Sequence, residues 1–132
     1  AVGRILLFIA LALSFSSAAR AQNQGREIRY ASTSDGSVYY VIQDSIQNSY
    51  NDIKVWVRVD QSKNHSVKDH YRLVRWSVSC SDRELHLLNW IIYDHRGGVL
   101  DSDSISPNNV DPVAVAPGTV SDSLFRFVCK SD

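Results

Sequence analysis

The side chains that could do chemistry are few and scattered. The chain holds four histidines, His65, His70, His86 and His95. His65 and His70 bracket Asp69, which invites a metal site. Their separation is one residue longer than the i, i+4 spacing that puts two ligands on one helical face. The stretch Gln61–His70 is also strongly hydrophilic, so a solvated loop is expected there. His86 lies between Leu85 and Leu87 and reads as a packed or hydrogen-bonded strand residue. Asp94-His95 sits at a hairpin bend, where an aspartate commonly accepts from nearby backbone N–H groups. Asp101-Ser102-Asp103 resembles the opening of a calcium loop, but the glycine and distal glutamate of such a loop are missing. Serines are plentiful, yet no G-x-S-x-G elbow accompanies them, and no glycine-rich phosphate loop occurs. The expectation is a non-enzyme with no metal and no cofactor. The alternative is a small periplasmic enzyme or metal-binding accessory protein using Asp94, His95 or the His65–His70 loop. A cheap observation separates the two: convergence of His86, His95 and a carboxylate in one pocket, or their dispersal beside an exposed Trp56.

The N-terminal stretch sets the compartment. Arg4 precedes the apolar run Ile5 to Phe15, and Ala19 and Ala21 follow in an A-x-A arrangement. These are the three parts of a secretory signal peptide. The run is too short to span a bilayer, which takes about 20 apolar residues. Residues 1–21 are therefore expected to be a cleaved signal, and 22–132 a single domain exported to the periplasm or the cell surface. No integral span is expected after cleavage, and no cysteine stands at the cleavage point to carry a lipid. Lys and Arg number 14, against 14 Asp and Glu. That balance gives no global field to draw nucleic acid or anionic lipid. The two cysteines, Cys80 and Cys129, most simply form one internal disulfide in an exported protein. Free thiols or a link between two chains are the alternatives. An internal bridge would close a loop of about 50 residues, a chain-entropy effect of roughly 4 kcal/mol.

Strands must position whatever binds. Ile28 to Ser32 reads as a weak first strand. A Ser34-Asp35-Gly36-Ser37 turn then leads to Val38–Ile42, which is dense in β-branched and aromatic residues. Gln47 to Asp52 reads as a polar connection. Ile53–Asp60 alternates most clearly, with Ile53, Val55, Val57 and Val59 on one face and Lys54, Trp56, Arg58 and Asp60 on the other. A tryptophan flanked by cations suggests a ligand-contact stripe; a cover of helix or loop over Trp56 is the commoner arrangement. Trp56 and Arg58 are the candidate binding residues. Arg72 to Cys80 alternates again. Glu84 to Tyr93 is apolar on both faces, with Leu85, Leu87, Ile91 and Tyr93 opposed to Leu88, Trp90 and Ile92. That pattern predicts a central strand covered on both sides. Gly97-Gly98 supplies a turn into Val99–Ser102, and the polar run from Asp101 to Asp111 reads as a loop. Pro112 to Ala116 is expected to be short and extended. A helix is expected to open at Thr119, the N-cap of a T-x-x-D capping box with Asp122. Val120, Leu124, Phe127 and Val128 give its apolar stripe. The fold class is α+β: an antiparallel sheet of about six strands packed by a short C-terminal helix.

Several of these segments also match a known pattern in order. Trp56-Val57-Arg58, the Cys80-Ser81-Asp82-Arg83 element, Ile92 to Gly98 (I-Y-D-H-R-G-G), Pro117 to Leu124 and the terminal Val128-Cys129 together resemble the surface-adhesin protein E family. The resemblance runs from roughly Val38 to Cys129. It implies an antiparallel sheet packed by a C-terminal helix, with Cys80 and Cys129 bridged. It also implies a binding module. The founding adhesin is an outer-membrane lipoprotein that binds host extracellular-matrix and serum proteins and dimerises. The partners it implies here are a host or envelope protein and a second copy of the chain. The chain lacks both the lipidation cysteine and a strongly basic surface segment, so no contact residue is carried over. Read from the strands themselves, the expected contact is a sheet face or edge strand, with Trp56, Arg58 and neighbouring tyrosines in it.

Overall fold

The computed structural model describes residues 26–106 and 111–130; the signal expected over 1–21 lies outside them. Eight strands and one α-helix follow in order: β1 Glu27–Ser32, β2 Val38–Ile42, β3 Gln47–Asn48, β4 Ile53–Asp60, β5 Tyr71–Ser79, β6 Glu84–Tyr93, β7 Val99–Ser104, β8 Pro112–Ala114 and α1 Val120–Val128. Every pairing is antiparallel. The main path is β1-β2-β4-β5-β6-β7, with β3 added to β4 and β8 to β6. The α+β class and the six-stranded path agree with the expectation from the sequence. The polar connection 47–52 contains β3, which folds back on Ile53 and Lys54.

Alternation decides which residues reach the core. Val55 and Val57 of β4 lie beside Trp76 and Val74 of β5, and Val57 beside Val41 of β2. On this face Val41, Val55, Val57, Val59, Val74, Val78 and Leu85 are buried against Leu124 and Phe125 of the helix. A helix of nine residues is too short to be stable alone, so its anchors matter. Thr119 Oγ1 accepts from the Asp122 N–H at 3.1 Å. The Asp122 carboxylate accepts from the Gly118 N–H at 3.1 Å and from Arg126. The capping box is therefore shifted, its carboxylate holding Gly118 and not Thr119. The disulfide joins Cys80, just past β5, to Cys129 at the helix end, with Cα atoms 5.7 Å apart. Arg83 lies over the Phe125 ring at 4.7 Å. Helix and sheet are thus joined by a covalent bond, a cation–π contact and an apolar face.

Three loops are tied down by polar contacts. Ser37 Oγ donates to Gln61 Oε1 at 2.6 Å. Asn64 Nδ2 reaches Gln61 Oε1 and Asp35 Oδ2 at 3.1 and 3.2 Å, which locks the β1–β2 turn to the β4–β5 loop. A Cβ at Gly36 would stand 2.6 Å from Lys63 O, and its φ is +98°, so only glycine fits this approach. At the β6–β7 turn Asp94 Oδ1 accepts from the Arg96 and Gly98 N–H groups at 2.9 and 2.8 Å, as the hairpin pattern predicts.

Two expectations are corrected. Strand β7 runs past the expected end at Ser102: Asp103 and Ser104, read as loop, pair with Trp90 and Asn89. Cross-strand hydrogen bonding to an apolar neighbour overrides the weak β propensity of D-S-D-S. Strand β6 is not covered on both sides either: of its ten residues only Leu85 is buried. The register against β5 slips between Arg75–Asn89 and Trp76–Leu87, leaving Leu88 as an extra residue. A one-residue bulge reverses which residues share a face. Leu85 and Leu87 therefore stand with Trp90 and Ile92, not opposite them.

Candidate functional site

Two faces of the same sheet compete as the binding surface. The open face carries the residues singled out in the sequence. Reading the register across it, Tyr40 pairs Arg58, Arg58 pairs Leu73 and Leu73 pairs Ile91. The neighbouring row is Trp56, Arg75 and Asn89. A third row runs from Val38 through Asp60 to Tyr71 and Tyr93, whose rings stack at 4.4 Å. The helix lies on the other side, so these aromatic, aliphatic and basic side chains form one half-exposed surface.

Arg58 is held in place on that surface. Its Nε donates to Glu27 Oε2 at 2.6 Å, Asp60 lies 3.9 Å from Nη1, and its Cζ stands 4.7 Å over the Tyr40 ring. The hydrogen bond to Glu27 raises its already high pKa. A guanidinium fixed this way presents its remaining N–H groups without losing further side-chain freedom. Trp56 is half-covered. Its backbone N–H donates to Ser45 Oγ at 2.8 Å, so the short turn Gln43–Ser45 docks against the strand beside it. Trp56 and Arg58 are therefore brought onto one surface, two positions apart on β4.

The chemical alternatives are dispersed. His86 lies near the start of β6 and His95 in the turn past its far end, and the strand between them alone runs roughly 23 Å at about 3.3 Å per residue. His65 lies in the β4–β5 loop, and His70 packs edge-on to Tyr71 at 6.4 Å. Among the described residues no three His, Cys, Asp or Glu side chains are grouped as a metal site would need. A depression of about 540 Å³ is lined by Asn48 to Ile53 with Cys80 and Ser81. It holds no histidine, its Asp52 accepts from Ser77, and Cys80 is in the disulfide. Asp101 and Asp103 stand on a regular strand, which does not wrap an ion.

The helix-side face also has an uncovered part, which the sequence reading did not single out. Beyond the edge of α1 lies an apolar groove of about 290 Å³, lined by Arg72, Val74, Trp76, Leu87, Trp90 and Ile92. The bulge at Leu88 creates it by turning Trp90 toward Trp76. A smaller cavity of about 170 Å³ adjoins it beneath the helix, sharing Arg72, Val74 and Trp76. Tyr30 lines that cavity, and burial, with the nearby Tyr39, pushes its hydroxyl pKa up.

Comparison with known proteins gives the frame for these surfaces. The family model for surface-adhesin protein E matches residues 28–130. No curated protein matches the chain. Two solved structures of Haemophilus influenzae protein E share the fold. One, crystal form II, has a TM-score of 0.58 and 15% identity, covering 79% of this chain and 87% of that one. The other has a TM-score of 0.55 and 14% identity, covering 79% and 83%. At these identities the likeness is one of fold alone. Among the described residues no helix is long and apolar enough to cross a membrane.

Proposed function

The chain belongs to the surface-adhesin protein E family, and on that premise we propose that it is an exported, non-enzymatic module that docks a host or envelope protein on the open face of its sheet. Trp56 and Arg58 stand at the centre of the contact. The observation that carries this reading is the surface itself. Tyr40, Trp56, Leu73, Ile91 and the Tyr71–Tyr93 stack supply apolar and aromatic area in rows, and Arg58 stands among them in a fixed orientation. Aromatic residues and arginine are the types that carry most of the energy at protein interfaces. The paired Glu27 and Asp60 keep that arginine from being buried as an unmatched charge.

The signal segment 1–21 delivers this module to the periplasm or the cell surface, where the disulfide persists. A homodimer, where it forms, brings together Val99 and Leu100 at the start of β7, which are 59% and 53% exposed and precede the charges of that strand. A direct test is retention of the purified chain on a panel of immobilised extracellular-matrix and serum proteins, with Arg58→Glu in parallel. Saturable retention that the substitution weakens supports the reading. Absence of retention, together with recovery from cells only as a free periplasmic monomer, overturns it.

A further inference from the structure

The helix-side groove has a polarity of its own. Its floor is Val74, Trp76, Leu87, Trp90 and Ile92. Beside it runs β7, paired to β6 with Asp103 opposite Trp90 and Asp101 opposite Ile92. Cross-strand partners share a face, so both carboxylates rise on the groove side, while Ser102 and Ser104 point to the other. Charges on an edge strand also discourage edge-to-edge pairing. Either face would serve that purpose, yet both charges here are on the face with the indoles.

The remaining charge at the groove is already matched. Arg72 donates from Nε and Nη2 to Asp69 Oδ2, both at 2.9 Å. Asp101 and Asp103 form no ion pair among the described residues. Trp90 Nε1 lies 3.4 Å from Asp101 Oδ2, which orients the indole beside the carboxylate. An indole face next to unmatched carboxylates attracts a cation with an apolar stem: the ring quadrupole and the negative charge act in the same direction. An anionic ligand would meet two unmatched carboxylates and an arginine that is already engaged. At about 290 Å³ the groove is at the small end of sites that enclose whole small molecules, roughly 300–1,000 Å³. It takes a side chain or two of a polypeptide.

We propose that this groove is a second docking site, for a basic segment of a partner polypeptide. A lysine or arginine stem lies along Trp76 and Trp90, and its charge sits at Asp101 and Asp103. The site is separate from the open face and does not depend on the family reading.

The test uses the whole chain after signal removal and two capped tetrapeptides, one alternating leucine with lysine and one with glutamate in place of lysine. The readout is the three tryptophan indole N–H resonances. The lysine peptide shifts Trp76 and Trp90 and leaves Trp56 in place. Its affinity falls about tenfold in Asp101→Asn/Asp103→Asn and weakens with added salt. Both substitutions are on an exposed strand, and asparagine still accepts from Trp90 Nε1, so the fold is kept; the unchanged dispersion of the spectrum checks this. Equal binding of the glutamate peptide, an unchanged affinity in the double variant, or a response confined to Trp56 overturns the proposal. So does binding to phosphatidylcholine vesicles with no response to the lysine peptide.

Discussion

The two faces of this sheet are built from the same alternating strands and end in opposite states. On the helix side the alternating valines of β4 are buried, with Val55 fully covered. On the other side Lys54, Trp56, Arg58 and Asp60 of the same strand remain half-exposed. The charges differ as well. Arg58 is matched by Glu27 and Asp60 on the open face, whereas Asp101 and Asp103 beside the groove have no ion-pair partner among the described residues. The difference teaches that one face is divided between stability and a small apolar groove flanked by two carboxylates. The other contributes little to folding and is available for a large, flat contact.

The strongest way to break this comparison is to release the helix. Replacing Cys80 and Cys129 with serine is expected to cost about 4 kcal/mol in the chain-entropy view, read as a lower urea midpoint. A loss near zero would mean that apolar packing alone holds α1 in place. Next in size, Leu124→Ala on the helix is expected to cost about 3 kcal/mol, because its site is buried against the sheet and cannot collapse freely. The matching change on the open face, Leu73→Ala, is expected to cost less than about 1 kcal/mol, since Leu73 is only half-covered. Equal losses for the two would erase the distinction between the faces.

The smallest effect is in acid. Asp122 accepts from Arg126 and from the Gly118 N–H, and both hold its carboxyl below the usual range. A carboxylate whose folded pKa is depressed contributes stability that is fully present above its unfolded pKa. That contribution is lost as pH falls through the folded value. Thermal melts between neutral pH and the acid range are expected to show a shallower decline for Asp122→Asn than for the parent. The residual slope comes from Asp35, Asp60 and Asp94, held low by the Thr33 hydroxyl, by Ser62 and by the Gly98 N–H respectively. An unchanged slope in Asp122→Asn would place the acid sensitivity in those turns and not at the helix.

Much of this architecture is legible in local patterns. The bounds of Val38–Ile42 and Ile53–Asp60 follow from β-branched alternation between turn residues, and the helix start follows from Thr119 and Asp122. These signals are short-range, so the residues carry them directly. The bulge at Leu88 is different. An extra residue in an apolar run leaves no mark in composition, yet it moves Trp90 and Ile92 to the helix side and opens the groove. The strand character of Asp103 and Ser104 is equally hidden, since it is imposed by pairing to β6. For the binding surface, the spacing of Trp56 and Arg58 showed that they share a face. It could not show that Glu27, thirty-odd residues upstream, would fix the arginine, nor which face the helix would cover.

The central claim, that partner binding uses the open face, is tested most directly by paired charge reversals on the two sides of the sheet. Arg58→Glu alters the open face, and Arg126→Glu alters the outer surface of the helix, where Arg126 is 70% exposed. Each variant is measured for equilibrium binding to a protein that retains the parent chain. The account predicts about a tenfold or greater loss of affinity for Arg58→Glu and little change for Arg126→Glu, in keeping with interface charges that are central or remote. Full binding by a folded Arg58→Glu variant, with loss in Arg126→Glu, would contradict it.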